Sequence, residues 1–311
     1  MTIQITTSTF GKAGIKPITY LKEKNLDFRL NPLGRKLTEK EAIEIILDAE
    51  GIIAGTEPLS DRVLRNLPNL RVISRCGTGL NNVDLETAKK LGIKVLNTPD
   101  IHVDAVAELA LTGALCALRK ITHGDRNIRS GTWGKSMGYS LYNKRVGIIG
   151  FGKVGKRFAN LLSVFTDNIV YYDPYLKNEQ DHVSHAAVKN VSFHELISTS
   201  DIISLHVPFT NENQNLISES EFNLCKSNVA ILNTSRGGLI NEKDLYHFLN
   251  HNKDAAAFLD VFEEEPYHGN LTELQNVILT PHIGTTTKET REEMELQACK
   301  NLLKGLQEYE K

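Results

Sequence analysis

The sequence predicts an α/β protein built from two Rossmann-like domains with parallel sheets, on three observations. Short apolar, β-branched runs alternate with helical patterns along nearly the whole chain, which is the rhythm of βαβ units. At 311 residues the chain exceeds the usual size of one domain. The alternation is interrupted once, by a long helical stretch after residue 98, and then resumes as a stronger series.

The first series reads IQITT, a helical stretch over 13–24, DFRL, TEKEAIEIILDA, GIIAG, a helical stretch over 60–66, LRVISR and IKVLNTP. Thr38 followed by Glu41 has the form of a capping box opening the helix that runs through Asp48. DAVAELALTGALCALRKI then reads as one long helix. The second series begins at KRVGIIGFGKVGK and continues through NIVYYD, DIISLHVP, NVAILNT, DAAAFLD and NVILTPHIG. A last helix, from about 285 to 308, follows the final strand and has no strand left to feed. It is expected to return to the first domain, making that domain discontinuous: residues 1–98 with 285–311, against 99–284 for the second.

Charge is nearly balanced, 36 basic against 38 acidic residues, which gives no sign of a nucleic-acid or anionic-membrane partner. No run approaches the roughly 18–20 apolar residues of a membrane span, and MTIQITTSTFGKAG lacks a basic start followed by an apolar block. A cytoplasmic protein is expected. Cys76, Cys116, Cys225 and Cys299 are far apart, without CxxC or zinc-ligand spacing, and read as reduced core thiols; no metal is expected.

The strongest local signal is VGIIGFGKVGKRFANLL. Gly150, Gly152 and Gly155 form G-x-G-x-x-G directly after an apolar strand and before a helix, the context in which the pattern means a dinucleotide. The first glycine permits the tight turn, the second lets a pyrophosphate approach the backbone, and the third lets helix and strand pack closely. Asp173 ends the next strand, placed to receive the adenosine ribose hydroxyls and repel a 2′-phosphate, which favours NAD over NADP. Lys177 is the feature that runs against this preference.

A nicotinamide carries only a hydride, so the substrate's proton and any carboxylate fall to side chains at the strand ends. Three ends carry suitable groups: Arg236 after VAILNTS, the acids of DVFEEEP, and His282 after NVILTP. An imidazole titrates near neutrality as a class, so His282 is the natural proton shuttle. One of Glu263, Glu264 and Glu265 can pair with it and favour its protonated form. The Arg236 fork matches a planar α-keto acid.

The pattern resembles the D-isomer-specific 2-hydroxyacid dehydrogenase family through GFGKVG with Asp173, LHVPFTNENQNLI, NTSRGGLINEKDL, LDVFEEEP and LTPHIG, in order over essentially the whole chain. The resemblance implies that Arg236, Glu265 and His282 are the catalytic set, and it selects Glu265 from the three acids. It implies an NAD surface formed by Gly150, Gly152, Lys153, Val154, Gly155, Asp173, His206, Val207, Pro208, Thr234, Asp260 and Gly284, with Asp260 near the nicotinamide carboxamide. It also implies a substrate domain closing over an interdomain cleft, and a homodimer.

RCGTGLNNVDLETAKKLGIKVLNTP and AVAELALTGAL look most like the phosphoglycerate-oxidising branch of that family. By that likeness Thr78 and Gly79 bind the substrate carboxylate, and 3-phosphoglycerate with 3-phosphohydroxypyruvate is the expected pair. The chain ends after the last helix without the regulatory domain of longer members, so serine feedback is not implied. A phosphate would need further cations, for which Arg75 and Lys135 are the candidates and Arg35 a weaker one. Glycerate, glyoxylate or lactate is the alternative substrate, and an NAD-sensing corepressor the alternative from another class.

Overall fold

The computed structural model describes residues 2–176 and 180–309. The chain divides into two compact units, one of residues 1–102 with 285–311, the other of residues 103–284.

The first unit holds a five-stranded parallel sheet of β1 (Thr2–Ile5), β2 (Asp27–Leu30), β3 (Gly51–Ala54), β4 (Val72–Arg75) and β5 (Lys94–Leu96), in the order β2-β1-β3-β4-β5. The middle strand β3 is buried at all four positions, which is why GIIA reads as a continuous apolar run. The helix Glu39–Ile46 opens with the expected capping box, in which the Thr38 hydroxyl accepts from the Glu41 amide and the Glu41 carboxylate accepts from the Thr38 amide. The last helix, Lys288–Tyr309, belongs to this unit. Met294, Ala298, Leu302 and Leu306 recur every four residues along it and pack with Ile3, Ile5, Ile53 and Val72.

The second unit holds eight strands: β6 (Val146–Ile149), β7 (Ile169–Tyr172), β8 (Gln180–Val183), β9 (Ala186–Asn190), β10 (Ile202–Leu205), β11 (Ala230–Asn233), β12 (Ala256–Leu259) and β13 (Val277–Leu279). Their order is β13-β12-β11-β10-β6-β7-β9-β8, parallel except for the β8–β9 pair. Chain order reverses between β6 and β10, and in open α/β sheets ligands bind outside the carboxyl ends of the strands at such a point. Neighbouring strand residues feed opposite cores: Ile149, Ile203 and Ile231 one, Ile148, Ile202 and Leu232 the other. Phe158, fully buried in the second of these, is a sensitive probe, since its truncation to alanine is expected to cost about 3–5 kcal/mol.

One expected element is divided. The stretch 104–121 is not a single helix: Val103–Arg119 ends at Lys120, whose φ of +52° is left-handed, and Ile121–Arg129 starts a new helix. Beyond it Trp133 and Met137 are 85% and 88% exposed. The β8–β9 hairpin was not foreseen either, because QDHV carries no apolar run.

All four cysteines are free, Cys76 and Cys299 buried, Cys116 and Cys225 half-buried. Burial pushes the Cys76 thiol up to about 11 and Cys225 up to about 12, which keeps both protonated and unreactive at neutral pH. Among the described residues no helix is long and apolar enough to cross a membrane, and no group of acids, histidines and cysteines could hold a metal ion.

Candidate active site

The glycine loop sits between β6 and the helix Lys153–Leu162. Gly150 has φ +87°, and a Cβ there would meet Val207 and the His206 carbonyl at 2.5 and 2.6 Å, so the β10 end closes against it. A Cβ on Gly155 would lie 2.2 Å from the Gly150 carbonyl oxygen, which is the tight helix–strand approach expected of the third glycine. A Cβ on Gly152 would meet nothing within 4 Å, leaving open space at the helix N-terminus, where a pyrophosphate is favoured. Lys153 and Val154 begin that helix.

Asp173 supports the same loop. One of its carboxylate oxygens accepts from the Phe151 amide at 2.9 Å and the other from the Tyr175 amide at 3.0 Å. It keeps lone pairs for ribose hydroxyls while it pins the turn. Lys177 lies outside the described residues.

Buried polar atoms around this crevice also suit a ligand. The Thr234 hydroxyl at the β11 end and Nδ1 of His206 at the β10 end find no hydrogen-bond partner among the described residues. Burial drives the His206 pKa down to about 3, so the ring is neutral, with Nε2 2.9 Å from the Ser204 hydroxyl. Pro208 follows, its carbonyl accepting from Asn213. A dinucleotide fits this surface, with Gly152 at its phosphates and the β10 and β11 ends along its length.

The catalytic candidates converge at the ends of β11, β12 and β13. Nδ1 of His282 is 2.9 Å from Oε2 of Glu265, and the other Glu265 oxygen accepts from the Phe262 amide at 3.2 Å. Of the three acids it is thus Glu265 that reaches the histidine. Glu263 is held elsewhere through its backbone amide, which donates to Glu242 at 2.8 Å. Burial alone would raise the Glu265 carboxyl; the His282 hydrogen bond and charge, the Phe262 amide and Arg236 outweigh it and hold the group below its ordinary range. With Nδ1 bound to a carboxylate, Nε2 is the nitrogen left to face a reacting oxygen.

Arg236 is placed by its turn. Asn233 accepts from the Ser235 amide and donates to the Arg236 carbonyl, while the Ser235 hydroxyl donates to Leu205 at 2.6 Å. Gly237 allows the turn to press on the next loop, since a Cβ there would stand 1.8 Å from the Phe262 carbonyl oxygen. Burial lowers the Arg236 pKa and the Glu265 charge raises it, so cation and carboxylate already sense each other.

Asp260 does more than the sequence suggested. It is 1% exposed, accepts from Thr280 at 2.6 Å and Ile283 at 2.7 Å on one oxygen, and from Gly284 at 2.8 Å on the other. These bonds hold the turn in which His282 takes φ +52°. Asp260 is therefore the anchor of the histidine.

The remaining candidates lie in the first unit or on exposed chain. Thr78 bonds to the Thr98 carbonyl at 3.3 Å and His102 Nδ1 at 3.0 Å, beside Gly79 in the loop after β4. The Arg75 guanidinium folds over Gly77 and donates to the Cys76 carbonyl at 2.6 Å. Arg35 makes an exposed ion pair with Glu41, at 2.9 and 2.6 Å, in the first turn of the helix Glu39–Ile46. Lys135 is exposed on chain without regular structure. Sequence reasoning missed Glu57, a buried carboxylate at the β3 end whose only signal was an acid between Thr56 and Pro58.

Residues 111–284 match the family described as D-isomer specific 2-hydroxyacid dehydrogenase, NAD binding domain. The chain belongs to that family. It is 38% identical to the glyoxylate reductase of Thermococcus litoralis over 302 residues, covering 93% of this chain and 89% of that one. It is 40% identical to the D-3-phosphoglycerate dehydrogenase of Methanocaldococcus jannaschii over 261 residues, 82% of this chain but 49% of that one. Among solved structures, apo D-lactate dehydrogenase of Escherichia coli superposes with a TM-score of 0.83 at 29% identity, covering 99% and 97% of the two chains. The NAD complex of formate dehydrogenase from Staphylococcus aureus gives 0.83 at 27% identity, covering 100% and 97%. The protein is an NAD-dependent 2-hydroxyacid dehydrogenase, and the corepressor alternative is set aside.

Proposed function

We propose that the enzyme interconverts a D-2-hydroxy acid and its 2-oxo acid through Arg236, Glu265 and His282. The observation that carries this reading is the 2.9 Å bond between His282 and Glu265, with Arg236 in the same electrostatic field. Bound NADH supplies the hydride to the carbonyl carbon. In that direction protonated His282 gives its Nε2 proton to the carbonyl oxygen, Glu265 holds Nδ1–H and stabilises the imidazolium, and Arg236 receives the carboxylate with its planar fork. Oxidation of the hydroxy acid reverses each proton movement.

Two substrate groups fit the family. The phosphorylated pair, 3-phosphoglycerate and 3-phosphohydroxypyruvate, is supported by the likeness to a phosphoglycerate dehydrogenase and would place the enzyme in serine biosynthesis. A small unphosphorylated acid is supported by the likeness to glyoxylate reductases and by Arg35 being committed to Glu41. We also propose a cytoplasmic homodimer: the thiols are unpaired, and Ile121, Ile128, Trp133, Met137 and Tyr142 expose apolar surface along one stretch of the second unit. Light scattering tests the dimer.

The activity test follows NADH consumption with glyoxylate, hydroxypyruvate, pyruvate and 3-phosphohydroxypyruvate. Turnover of at least one is expected, with Arg236→Lys raising KM and lowering kcat because a point charge cannot replace the fork. Tight NADH binding without turnover of any of the four would overturn the reading.

A further inference from the structure

Arg236 and Glu265 follow different strands of the second unit, and one short piece of chain meets the loops of both. Residues 237–242 run from the turn after Arg236 to Glu242, the first residue of the helix Glu242–His251. This piece is fixed along its length. The Asn215 amide donates to the Gly238 carbonyl at 2.8 Å, the Ile217 amide to Leu239 at 3.1 Å and the Asn241 amide to Ile217 at 2.9 Å. Leu239 and Ile240 are buried, and the Asn241 side chain caps the helix by accepting from the Asp244 amide at 3.1 Å. Glu242 therefore stands on a rigid base.

From that base the chain holds the Glu265 loop at two points. At Gly237 the backbones press together, since a Cβ there would lie 2.5 Å from the Glu263 nitrogen as well as 1.8 Å from the Phe262 carbonyl oxygen. At Glu242 the carboxylate accepts the Glu263 amide at 2.8 Å, a charge-assisted bond. The preceding amide, that of Phe262, is the one that donates to Glu265 at 3.2 Å. Two consecutive amides thus divide the work: one meets the carboxylate that pairs with His282, the other is held by Glu242. The Phe262 ring, stacked on Tyr267 at 4.3 Å, closes the base of the loop. Burial and the Glu263 charge raise the Glu242 carboxyl while the Glu263 amide works against the rise, and either protonation state keeps an oxygen to accept that amide.

We propose that Glu242 is a positioning residue for the catalytic carboxylate: by holding the Glu263 amide it fixes the Phe262–Glu265 loop against the segment after Arg236 and so sets the approach of Glu265 to His282. The proposal rests on the dehydrogenase reading above and adds to its three residues one that acts through Glu265. Glu242 works as a hydrogen-bond acceptor of the right length, so a neutral acceptor of the same reach replaces it.

The test measures kcat and KM for the 2-oxo acid turned over best among glyoxylate, hydroxypyruvate, pyruvate and 3-phosphohydroxypyruvate, with NADH affinity and binding stoichiometry from fluorescence titration. The stoichiometry corrects kcat for the fraction of folded enzyme. Glu242→Ala removes the acceptor and is expected to lower kcat about tenfold or more, with KM and NADH affinity within about twofold of wild type, because a misplaced catalytic group costs turnover rather than binding. Glu242→Gln keeps a carbonyl at the same reach and is expected to hold kcat within about twofold of wild type, whereas Glu242→Asp, one methylene short, falls between the two. Wild-type kcat in Glu242→Ala overturns the proposal, as does a loss confined to KM or a loss in Glu242→Gln as large as in Glu242→Ala. If Glu242→Ala does not fold, equal kcat in Glu242→Asp and Glu242→Gln overturns it. Each of these results leaves the dehydrogenase reading standing; that reading fails only if the wild type turns over no 2-oxo acid.

Discussion

Glu57 in the five-stranded unit and Asp260 in the eight-stranded unit are each 1% exposed, each at a strand end, and each bonded to a threonine hydroxyl and to backbone amide, Gly55 for Glu57 and Ile283 with Gly284 for Asp260. Both solve the same problem, since a tight loop turns amides away from the sheet ladder and an unpaired buried amide costs about 1–3 kcal/mol. They differ in what the anchored loop carries. Asp260 fixes the turn that presents a proton carrier, His282, whereas Glu57 fixes the turn after β3 that Asn82 ties to the loop after β4. One anchored loop carries a reacting side chain; the other holds the turn to which Asn82 donates.

The largest effect expected of this contrast is kinetic. His282→Asn should retain the fold, because asparagine tolerates positive φ, yet lose about 10²–10⁴ in kcat, the usual worth of a positioned proton donor. Asp260→Ala should come next, destabilising by about 1–3 kcal/mol for each of the two amides left unpaired, those of Ile283 and Gly284, as read by chemical denaturation. Glu57→Ala orphans the Gly55 amide alone and should cost less. Equal losses would mean that the Glu57 turn is held by more than its carboxylate.

Gly152→Ala separates fold from cofactor binding. A Cβ there meets open space and the residue has φ −75°, so stability should stay within about 0.5 kcal/mol of wild type. NADH affinity, read by fluorescence titration, should fall about tenfold or more, roughly 1.4 kcal/mol, as the methyl enters the pyrophosphate's place. Unchanged affinity would move the phosphates elsewhere.

The smallest effect is a pH dependence. Glu265 is held below its ordinary value of 4.5, so its pairing stabilises the fold fully above that pH and is lost as the pH falls through the depressed value. Glu265→Gln should therefore lie below wild type in stability near neutrality, with the gap closing below pH 4.5. A gap that widens in acid would reverse the assigned direction.

Much of the fold was readable because parallel sheets buried on both faces write themselves as apolar runs, as in GIIA and AILN. The break at Lys120 was not, because a left-handed residue other than glycine leaves no mark in composition. The three catalytic candidates were legible as charged residues stranded at strand ends. Choosing Glu265 among three acids needed the resemblance, and the 2.9 Å bond to His282 gives that choice a geometry. Glu57 and the anchoring work of Asp260 escaped the sequence because both depend on amides from distant or turned backbone, which no spacing reveals.

The most direct measurement compares wild type with His282→Asn in steady-state NADH oxidation by the best 2-oxo acid, with NADH affinity measured on both. Loss of about a hundredfold or more in kcat at unchanged NADH affinity is the predicted result. Wild-type turnover by His282→Asn would contradict the assignment of the proton to His282 and, with it, the catalytic reading of the Glu265 pair.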